Sequence, residues 1–393
     1  MNYGIICEYN PFHNGHLYQI NKTKSENDNL ICVMSGQYVQ RGCPALFDKW
    51  TRATWAVQNG ANLVLELPTF FSTASAEYFA KGAVSILENL GICDFLSFGC
   101  EDDNTEKLEE IARILISDEY SKKLKSYLDS GESYAKARQK TVEFLLKEDA
   151  TLLEKPNNIL AIEYIKAILS LGSDIKPFGV KRAFISHDSA EECGDFTSAS
   201  NIREKILNNT FDFSFIPENI RQDMEEKISG GQICNMEEFY DLCYKKLLLT
   251  SEHELSENPY VSEGLENKFI KELSNSTDYN SLLEKVKSKR YAHSRLRRIM
   301  ISNLLGIKKE DIESSPSYIR VLAFDEKGKE LLKSAKKKSA LPIITKPSHI
   351  KNCNEKAIAD FEKEKRFTNL SFSFYNTPRE NNLDFITSPI FIK

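Results

Sequence analysis

The chain has 393 residues, a formal net charge of −5, 41% hydrophobic residues and 28% charged residues. These values are ordinary for a soluble globular protein, and the length leaves room for two domains, each with its own core. They exclude a protein that coats nucleic acid along its whole surface, although they remain compatible with a local basic patch.

The nine cysteines form no CxxC pair and no Cys/His cluster at zinc spacing. We therefore expect free thiols and no dedicated metal site. The first residues lack a basic segment followed by an apolar one, so no signal peptide is expected. No apolar run approaches the length of a transmembrane helix. Together these features predict a cytoplasmic protein with no membrane association.

The first half of the chain alternates between short apolar runs and helical patterns. Five strands are predicted, at Tyr3–Cys7, Leu30–Met34, Asn62–Leu67, Asp94–Phe98 and Lys176–Val180. Helices are predicted over Gly15–Lys24, Lys49–Asn59, Ala74–Asn89, Glu106–Leu115 and Asn157–Leu171, with two more, Asp118–Ser130 and Glu132–Glu148, as an insertion before the last strand. This alternation predicts an α/β fold with a doubly wound parallel sheet, which binds its ligand at the carboxyl ends of the strands.

The alternation ends near Ser229-Gly230-Gly231. We therefore predict a catalytic domain over residues 1–230 and a mostly helical, locally basic domain over residues 231–393. The segment from Leu341 to Lys393 mixes short apolar runs with proline and asparagine. Its pattern predicts no definite structure.

The motif with the clearest chemistry follows the first strand. Asn10-Pro11 ends the strand, and His13-Asn14-Gly15-His16 lies where a helix begins. The first backbone N–H groups of a helix favour an anion, and imidazoles three residues apart face one ligand. His13 and His16 are therefore candidate catalytic groups that stabilise charge on a phosphate. The alternative is a helix that begins with two surface histidines. The position of the motif directly after a strand favours the catalytic interpretation.

Asp48 is a candidate N-cap for the helix that begins at Lys49. Lys49 and Arg52 lie on one face of its first turn, where two cations oppose the helix dipole. We interpret them as candidate contacts to a phosphate or a carboxylate. The alternative is a solvated helix start.

Three further motifs lie where a ligand of this sheet would be. Gly99, at the end of the fourth strand, permits close approach to the backbone, although a simple turn explains it equally well. Asn157 and Asn158 begin a helix, and an N-cap explains one of them. Ser198, Ser200 and Arg203 begin another helix and are candidate phosphate contacts, or else a capped helix with a surface arginine.

A basic run is the main signal in the second half. Residues 281–300 contain seven Lys or Arg against one acid, Glu284. Candidate RNA contacts in this run are Lys289, Arg290, Tyr291, Arg295, Arg297 and Arg298, with the tyrosine as a stacking residue. Residues 327–338 offer a second basic patch. The alternative for both segments is a solvated helix face.

Taken together, these motifs resemble the bacterial tRNA(Met) cytidine acetate ligase family of the HxGH nucleotidylyltransferase superfamily. The matching stretches are Gly4–Ile20, Met34–Ala45, Phe47–Pro68, Phe98–Glu101, Pro156–Ala167, Thr197–Arg203, Lys289–Tyr291, Arg295–Arg298 and Pro316–Gly328. They are spread over most of the chain, excluding about the last fifty residues.

The resemblance implies a nucleotidylyltransferase-like Rossmann fold and a two-step reaction. ATP, with Mg²⁺ bridging its phosphates, and acetate would give acetyl-adenylate and pyrophosphate. The exocyclic amine of the wobble cytidine of elongator tRNA(Met) would then take the acetyl group, giving N4-acetylcytidine. The family's ATP contacts correspond here to Cys7, Glu8, Tyr9, Asn10, Pro11, Phe12, His13, Asn14, Gly15, His16, Leu17, Tyr18, Gln19, Ile20, Gly99, Asn157 and Arg182. Inspection does not decide between Asn157 and Asn158.

The chain departs from the superfamily pattern at one position. The second motif usually reads Ile-Ser-Ser-Thr before Ile-Arg, whereas this chain has Ala199 in place of one serine. Two other functions fit parts of the pattern. A small-metabolite nucleotidylyltransferase explains the histidine motif but not the basic second half. A non-catalytic RNA-binding protein on the same fold explains the basic run but not the intact His13, His16 and Arg203. The sequence predicts no oligomeric state.

Overall fold

The structure is a computed structural model that describes residues 1–101, 104–147, 151–182, 192, 194–288, 290–377 and 379–393. Its strands are β1 Asn2–Cys7, β2 Asn29–Ser35, β3 Tyr38–Val39, β4 Cys43–Pro44, β5 Leu63–Leu67, β6 Phe95–Cys100, β7 Lys176–Lys181, β8 Ile319–Phe324, β9 Ile343–Ile344 and β10 Ile390–Phe391.

The α-helices are α1 Asn14–Thr23, α2 Lys49–Gln58, α3 Thr69–Ser72, α4 Ala76–Leu90, α5 Thr105–Leu115, α6 Asp118–Asp129, α7 Tyr134–Leu146, α8 Pro156–Leu171, α9 Ala199–Leu207, α10 Glu218–Ser229, α11 Met236–Leu248, α12 Glu252–Ser256, α13 Leu265–Leu273, α14 Tyr279–Val286, α15 His293–Leu305, α16 Lys309–Glu313, α17 Glu326–Lys338, α18 Glu355–Phe372 and α19 Leu383–Ile386. Short 3₁₀ turns lie at Thr151–Glu154, Phe213–Phe215 and Pro347–Asn352.

The main sheet has the strand order β10-β8-β5-β2-β1-β6-β7, with β9 paired to β8. Strand β1 is parallel to both of its neighbours, β2 and β6. The chain builds the sheet outward from β1 through β2 to β5, and then crosses to the other side with β6. This reversal places a topological switch point between β1 and β6, where ligands of such sheets bind.

The predicted α/β fold is confirmed. Each of the five predicted strands is present with its ends within two residues of the prediction, and helices α5, α6 and α7 form the predicted insertion before β7. The strands were recognisable because both faces of the sheet are covered. All five residues of β5 are buried, for example, so its sequence is a continuous apolar run except for Glu66.

The second half of the chain is mostly helical, as predicted, but it also contributes strands to the main sheet. Residues 236–313 contain helices α11 to α16, but β8 then returns to the main sheet. It pairs antiparallel with β5, and Leu63 lies opposite Phe324. The predicted boundary at residue 230 therefore separates β8, β9 and β10 from the other strands of the main sheet. The segment from Leu341 to Lys393, for which no structure was predicted, contains β9, α18, α19 and β10.

A buried group of charges joins α2, β5, β8 and α19. The Nζ of Lys49 lies 2.6 Å from Glu66 and 2.7 Å from Asp384, and all three side chains are at most 4% exposed. Arg320 lies 2.8 Å from the same Asp384 carboxylate. Because ions this deeply buried are costly without partners, the group depends on all of its members being present.

Glu364 of α18 lies beside this buried group and gives a testable pH dependence. Its carboxylate accepts hydrogen bonds from the backbone N–H and the hydroxyl of Thr69, at 2.6 and 2.7 Å. Burial, reinforced by the charge of Glu66, raises the pKa of Glu364 from its usual 4.5 to about 8. Between these two values the unfolded chain releases a proton that the folded chain keeps, so stability falls as pH rises through this window.

Replacing Glu364 by glutamine removes this titration. We expect the variant to gain on the order of 1–3 kcal/mol relative to the original protein between about pH 5 and pH 9. Urea unfolding across this range measures the difference. Glu362→Gln, at a position 48% exposed on the same helix, is the matched control and should leave the pH profile unchanged. If the free energy of unfolding depends on pH in the same way for Glu364→Gln and the original protein, the raised pKa is wrongly assigned to Glu364.

Within the described part of the chain, no helix is both long and apolar enough to cross a membrane.

Candidate active site

The turn between β1 and α1 positions the two histidines. Tyr9 has a φ of +46° and redirects the chain as it leaves the sheet. His13 is the N-cap of α1, and its Nδ1 accepts the backbone N–H of Gly15 at 3.0 Å. In return, the backbone N–H of His13 donates to Nδ1 of His16 at 3.3 Å. The histidines thus form a reciprocal capping box, with His16 in the role that Glu or Gln usually has.

This capping fixes the orientation of both rings. Because Nδ1 accepts a hydrogen bond in each neutral ring, the ring proton belongs on Nε2, which becomes the donating atom. The ring centroids are 3.8 Å apart. The Tyr9 ring packs against the His16 ring, with 4.8 Å between their centroids. Two adjacent N–H donors at a helix N-terminus are suited to bind an oxyanion.

A cavity of about 710 Å³ lies at this point, beside the switch point of the sheet. It brings together residues that are far apart in the sequence, from the turn after β1 to helix α15. The predicted site residues that line it are Cys7, Glu8, Tyr9, Asn10, His13, Gly15, His16, Tyr18, Gln19, Gly99, Asn157, Arg182, Ser198, Ser200, Arg203, Arg297 and Arg298.

The other residues of the first motif support the turn rather than line this cavity. Pro11, Phe12 and Ile20 are buried in the core. Asn14 and Leu17 line a separate, open groove on another side of α1. The side-chain amide of Asn14 donates to the carbonyls of residues 195 and 214, at 2.9 Å each. The expectation of ligand contact along the whole segment is therefore corrected for these five positions, whose side chains have other surroundings.

Glu101 organises the part of the cavity formed by β6 and α8. Its carboxylate accepts the backbone N–H groups of Asn157 and Asn158, at 3.2 and 2.9 Å, and the side-chain amide of Asn157. The side-chain oxygen of Asn157 accepts from Arg182 at 3.3 Å. Asn158 instead accepts the backbone N–H of Glu101 at 3.0 Å and is fully buried. Asn157 is therefore the one of the pair that lines the cavity.

Gly99 lies beside this network. A Cβ at this position would lie 3.3 Å from the side chain of Arg182, which is tighter than most such contacts. The absence of a side chain therefore leaves room for the arginine at the edge of the cavity.

Helix α9 directs a second N-terminus at the cavity. Ser198 is its N-cap and accepts the backbone N–H of Asn201 at 3.2 Å. Arg203 donates to the backbone carbonyl of Asn10 at 2.6 Å, which joins this helix to the histidine turn. Burial lowers the pKa of Arg203, so a nearby anion would favour its charged form. Ala199, the departure from the family motif, also lines the cavity.

Lys49 and Arg52 do not line the cavity, and their predicted role as ligand contacts is corrected. Lys49 belongs to the buried charge group described above. Arg52 is fully buried, and its guanidinium donates to the backbone carbonyls of Phe47 at 2.9 Å and Glu8 at 2.6 Å. It also donates to Ser35 and Gly36. It therefore holds together the strand ends that carry the site.

The basic run is divided by the fold, and Lys289 lies outside the described residues. Tyr291 is only 9% exposed, and the Arg295 guanidinium covers its ring at 5.5 Å, which contradicts its predicted role in stacking on a base. Arg295 donates to the carbonyl of Tyr260 at 2.9 Å and therefore has a structural partner. Arg290 is 64% exposed and pairs with Glu263. The remaining two arginines of the run line the cavity.

Some cavity residues had no clear signal in the sequence. Gln40 and Arg41 follow β3 in a loop whose sequence fits residues that reach a substrate, but fits an ordinary turn better. His293 and Ser294 begin α15, and no local pattern distinguishes them from surface residues. Glu101 was part of a recognised motif, but only the fold reveals that it holds the start of α8.

The charge of the cavity is strongly positive. Among the residues that the structure describes, its lining includes Lys181, five arginines and a single carboxylate, that of Glu8. The Glu8 carboxylate accepts the backbone N–H of Gln40 at 2.7 Å. In the described part of the chain, no group of three or more His, Cys, Asp or Glu could hold a metal ion. The cavity is therefore suited to a polyanion rather than to a cation held by protein ligands alone.

Comparisons with known proteins agree with this geometry. The model of the HIGH Nucleotidyl Transferase family matches residues 1–383. A tRNA(Met) cytidine acetate ligase of Thermoanaerobacter sp. is 44% identical over 398 residues, covering 98% of both chains. One from Clostridium botulinum is 39% identical, covering 99% of this chain and 98% of the relative.

Solved structures of Thermotoga maritima TmcAL are similar over nearly the whole chain. The form bound with alpha-thio ATP has a TM-score of 0.91 and 33% identity, and covers 99% of each chain. The apo form has a TM-score of 0.93 and 32% identity, covering 100% of this chain and 99% of the other.

Proposed function

Because this chain belongs to the tRNA(Met) cytidine acetate ligase family of HIGH nucleotidyl transferases, we propose that it activates acetate with ATP and acetylates tRNA. It is an ATP-dependent ligase. The proposed acceptor is the exocyclic amine of the wobble cytidine of elongator tRNA(Met), and the product is N4-acetylcytidine. The observation that carries the proposal is the paired histidines at a helix N-terminus inside a cationic cavity.

In the first step, a carboxylate oxygen of acetate forms a bond to the α-phosphorus of ATP. The bond from that phosphorus to the bridging oxygen breaks, and pyrophosphate leaves with the electron pair. His13 and His16 donate hydrogen bonds to the charge that develops on the phosphate oxygens. Both histidines are preorganised donors, because the capping box orients their rings before the substrate arrives.

The nucleotide is proposed to lie between the Gly99–Asn157 side and the histidines. Asn157 offers polar atoms to the nucleoside, and Arg182, Ser198, Ser200 and Arg203 offer donors to phosphate oxygens. Thermotoga maritima TmcAL, similar over nearly its whole length, was solved with alpha-thio ATP bound. This supports a nucleotide site in the shared fold.

Magnesium is proposed to enter as part of the ATP complex. Mg²⁺ prefers octahedral oxygen ligands, keeps several waters and is commonly bound through substrate phosphates. The Glu8 carboxylate in the cavity fits a supporting contact to such a complex, whereas the guanidinia around it do not fit a separate protein site. When bound, the ion neutralises charge on the phosphates.

In the second step, the cytidine amine attacks the acetyl carbonyl carbon of acetyl-adenylate. The bond to the AMP oxygen breaks, AMP leaves, and the nitrogen loses a proton. The target base must leave its stack to reach the cavity. The chain after residue 230 is proposed to bind the tRNA, and the exposed Arg290 remains a candidate contact.

A small-metabolite nucleotidylyltransferase remains the enzymatic alternative. It would use the same histidines, but it gives no role to the long second half of the chain. The non-catalytic alternative requires a site without working donors, whereas His13, His16 and Arg203 are all present and line the cavity.

The test is mass spectrometry of tRNA nucleosides after incubation of the protein with ATP, Mg²⁺, acetate and an unmodified elongator tRNA(Met) transcript. Acetylcytidine that forms only with both ATP and acetate supports the proposal. Acetate-dependent ATP–pyrophosphate exchange without acetylcytidine would retain the first step and reject the acceptor. Folded protein that does neither would favour the small-metabolite alternative.

Arg182→Ala is expected to raise the ATP concentration needed for half-maximal exchange by about tenfold, because a charge-assisted hydrogen bond is lost. Lys176→Ala is the matched control, since Lys176 is exposed at the opposite end of the same strand β7. The readout is the ATP dependence of pyrophosphate exchange. If the Arg182 variant requires no more ATP than the control, Arg182 does not contact the nucleotide.

A further inference from the structure

Helix α15 brings Arg297 and Arg298 into the wall of the cavity that contains His13 and His16. Both arginines belong to the basic run that the sequence assigned to RNA binding. Their side chains are partly buried, and they share this wall with His293 and Ser294. Arg297 and Arg298 therefore do not lie on a solvated outer face of the helix.

The two guanidinia lack acidic partners among the residues that the structure describes. The Nε atoms of both are buried, and within that part of the chain neither has a hydrogen-bond partner. The Arg298 guanidinium lies 5.4 Å from the centre of the Tyr260 ring, and burial lowers its pKa. A desolvated cation without an acidic partner costs free energy, which a bound anion offsets.

Other cations of the cavity lie close to Arg297. Burial raises the pKa of the Cys43 thiol, and the charges of Arg203, Arg41 and Arg297 all oppose this rise. Arg41, Arg203 and Arg297 also line the same cavity. Such a cluster repels itself unless an anion with several negative charges lies between its members.

Helix α15 is held firmly in this place. Arg295 bonds to the Tyr260 carbonyl and, at 2.7 Å, to the hydroxyl of Ser262. On the other side Gly42, with a φ of +76°, packs directly on the backbone of Arg297, where an added Cβ would lie 3.1 Å from the carbonyl carbon. The arginines are therefore preorganised for a ligand rather than carried on a loose surface helix.

We propose that Arg297 and Arg298 bind the β- and γ-phosphates of ATP and the pyrophosphate that leaves, so that α15 completes the adenylation site. The inference rests on the proposed function. Planar guanidinia bind phosphate oxygens bidentately, and here they would stabilise the charge that pyrophosphate acquires as its bond to the α-phosphorus breaks. A segment late in the chain would thereby act in the first chemical step, before any tRNA is bound.

The experiment is isothermal titration calorimetry without tRNA or acetate, on Arg297→Gln and Arg298→Gln separately. The probes are a non-hydrolysable ATP analogue, inorganic pyrophosphate and AMP. Each variant should bind the analogue and pyrophosphate about tenfold more weakly, while its affinity for AMP stays within about twofold. Arg290→Gln, on the exposed and paired arginine of the same basic run, should bind all three probes normally.

Thermal unfolding establishes that each variant is folded, and Arg297→Lys and Arg298→Lys replace any glutamine variant that is not. Unchanged affinity for the analogue and pyrophosphate in folded variants would overturn the inference. So would a loss confined to tRNA affinity, measured separately, because the arginines would then contact RNA. Acetate-dependent exchange by the original protein is tested independently, so its absence rejects the proposed function without deciding the fate of the arginines.

Discussion

Replacing His16 by alanine is expected to lower acetate-dependent ATP–pyrophosphate exchange by about 100-fold or more, because a preorganised donor to the transition-state phosphate is lost. The loss should fall on the maximal rate more than on the ATP requirement, since the donor acts on charge that develops during the reaction. Steady-state exchange kinetics at varied ATP and saturating acetate measure both quantities.

The His16 side chain also caps α1, through its hydrogen bond from the backbone of His13. Losing such a cap costs about 1 kcal/mol of stability, so the variant should remain folded at the assay temperature, as thermal unfolding would verify. His253→Ala, on the exposed face of the short helix α12, is the matched control. Near-normal exchange by the His16 variant would exclude the proposed catalytic role.

Asp384→Ala should destabilise the fold by about 3–5 kcal/mol, because it removes one of the two carboxylates, Asp384 and Glu66, that pair with the buried Lys49 and Arg320. Burial raises the pKa of Asp384, but the charges of Lys49 and Arg320 outweigh this effect and hold its pKa below the usual value. Urea unfolding at pH 7 gives the free energy of unfolding for the variant and the original protein.

Asp241→Ala provides the comparison for an ordinary surface pair. Asp241 lies 2.6 Å from Lys245, but both side chains are more than half exposed, so the expected loss is about 0–1 kcal/mol. Equal effects at positions 241 and 384 would show that the buried group does not hold the C-terminal segment to the sheet.

The sequence predicted those parts of the fold that local pattern determines. Strands β1, β2, β5, β6 and β7 are short apolar runs bounded by turns, and each is recognisable without its partners. Strand β8 has a similar apolar sequence, yet its pairing with β5 depends on a contact between residues far apart in the chain. Local periodicity carries no information about such a partner, so this part of the sheet was missed.

The site shows the same division between local and distant information. The histidine turn was predicted because strand, break, glycine and helix start are all adjacent in the sequence. Lys49 was misread because its partner Asp384 lies 335 positions later in the chain. A helix that begins with two cations is equally consistent with their burial and with a bound ligand. Tyr291 was misread because its cover, Arg295, looked like a neighbouring RNA contact.

The pairing of β8 with β5 has a consequence for synthesis of the protein on the ribosome. Strand β5 ends at Leu67, whereas β8 is not complete until Phe324, roughly 250 residues later. At common translation rates this interval lasts on the order of 10–50 seconds, during which one edge of an apolar strand has no partner. Nascent chains would then expose a sheet edge prone to wrong pairing, which makes this interval the period of greatest need for a chaperone.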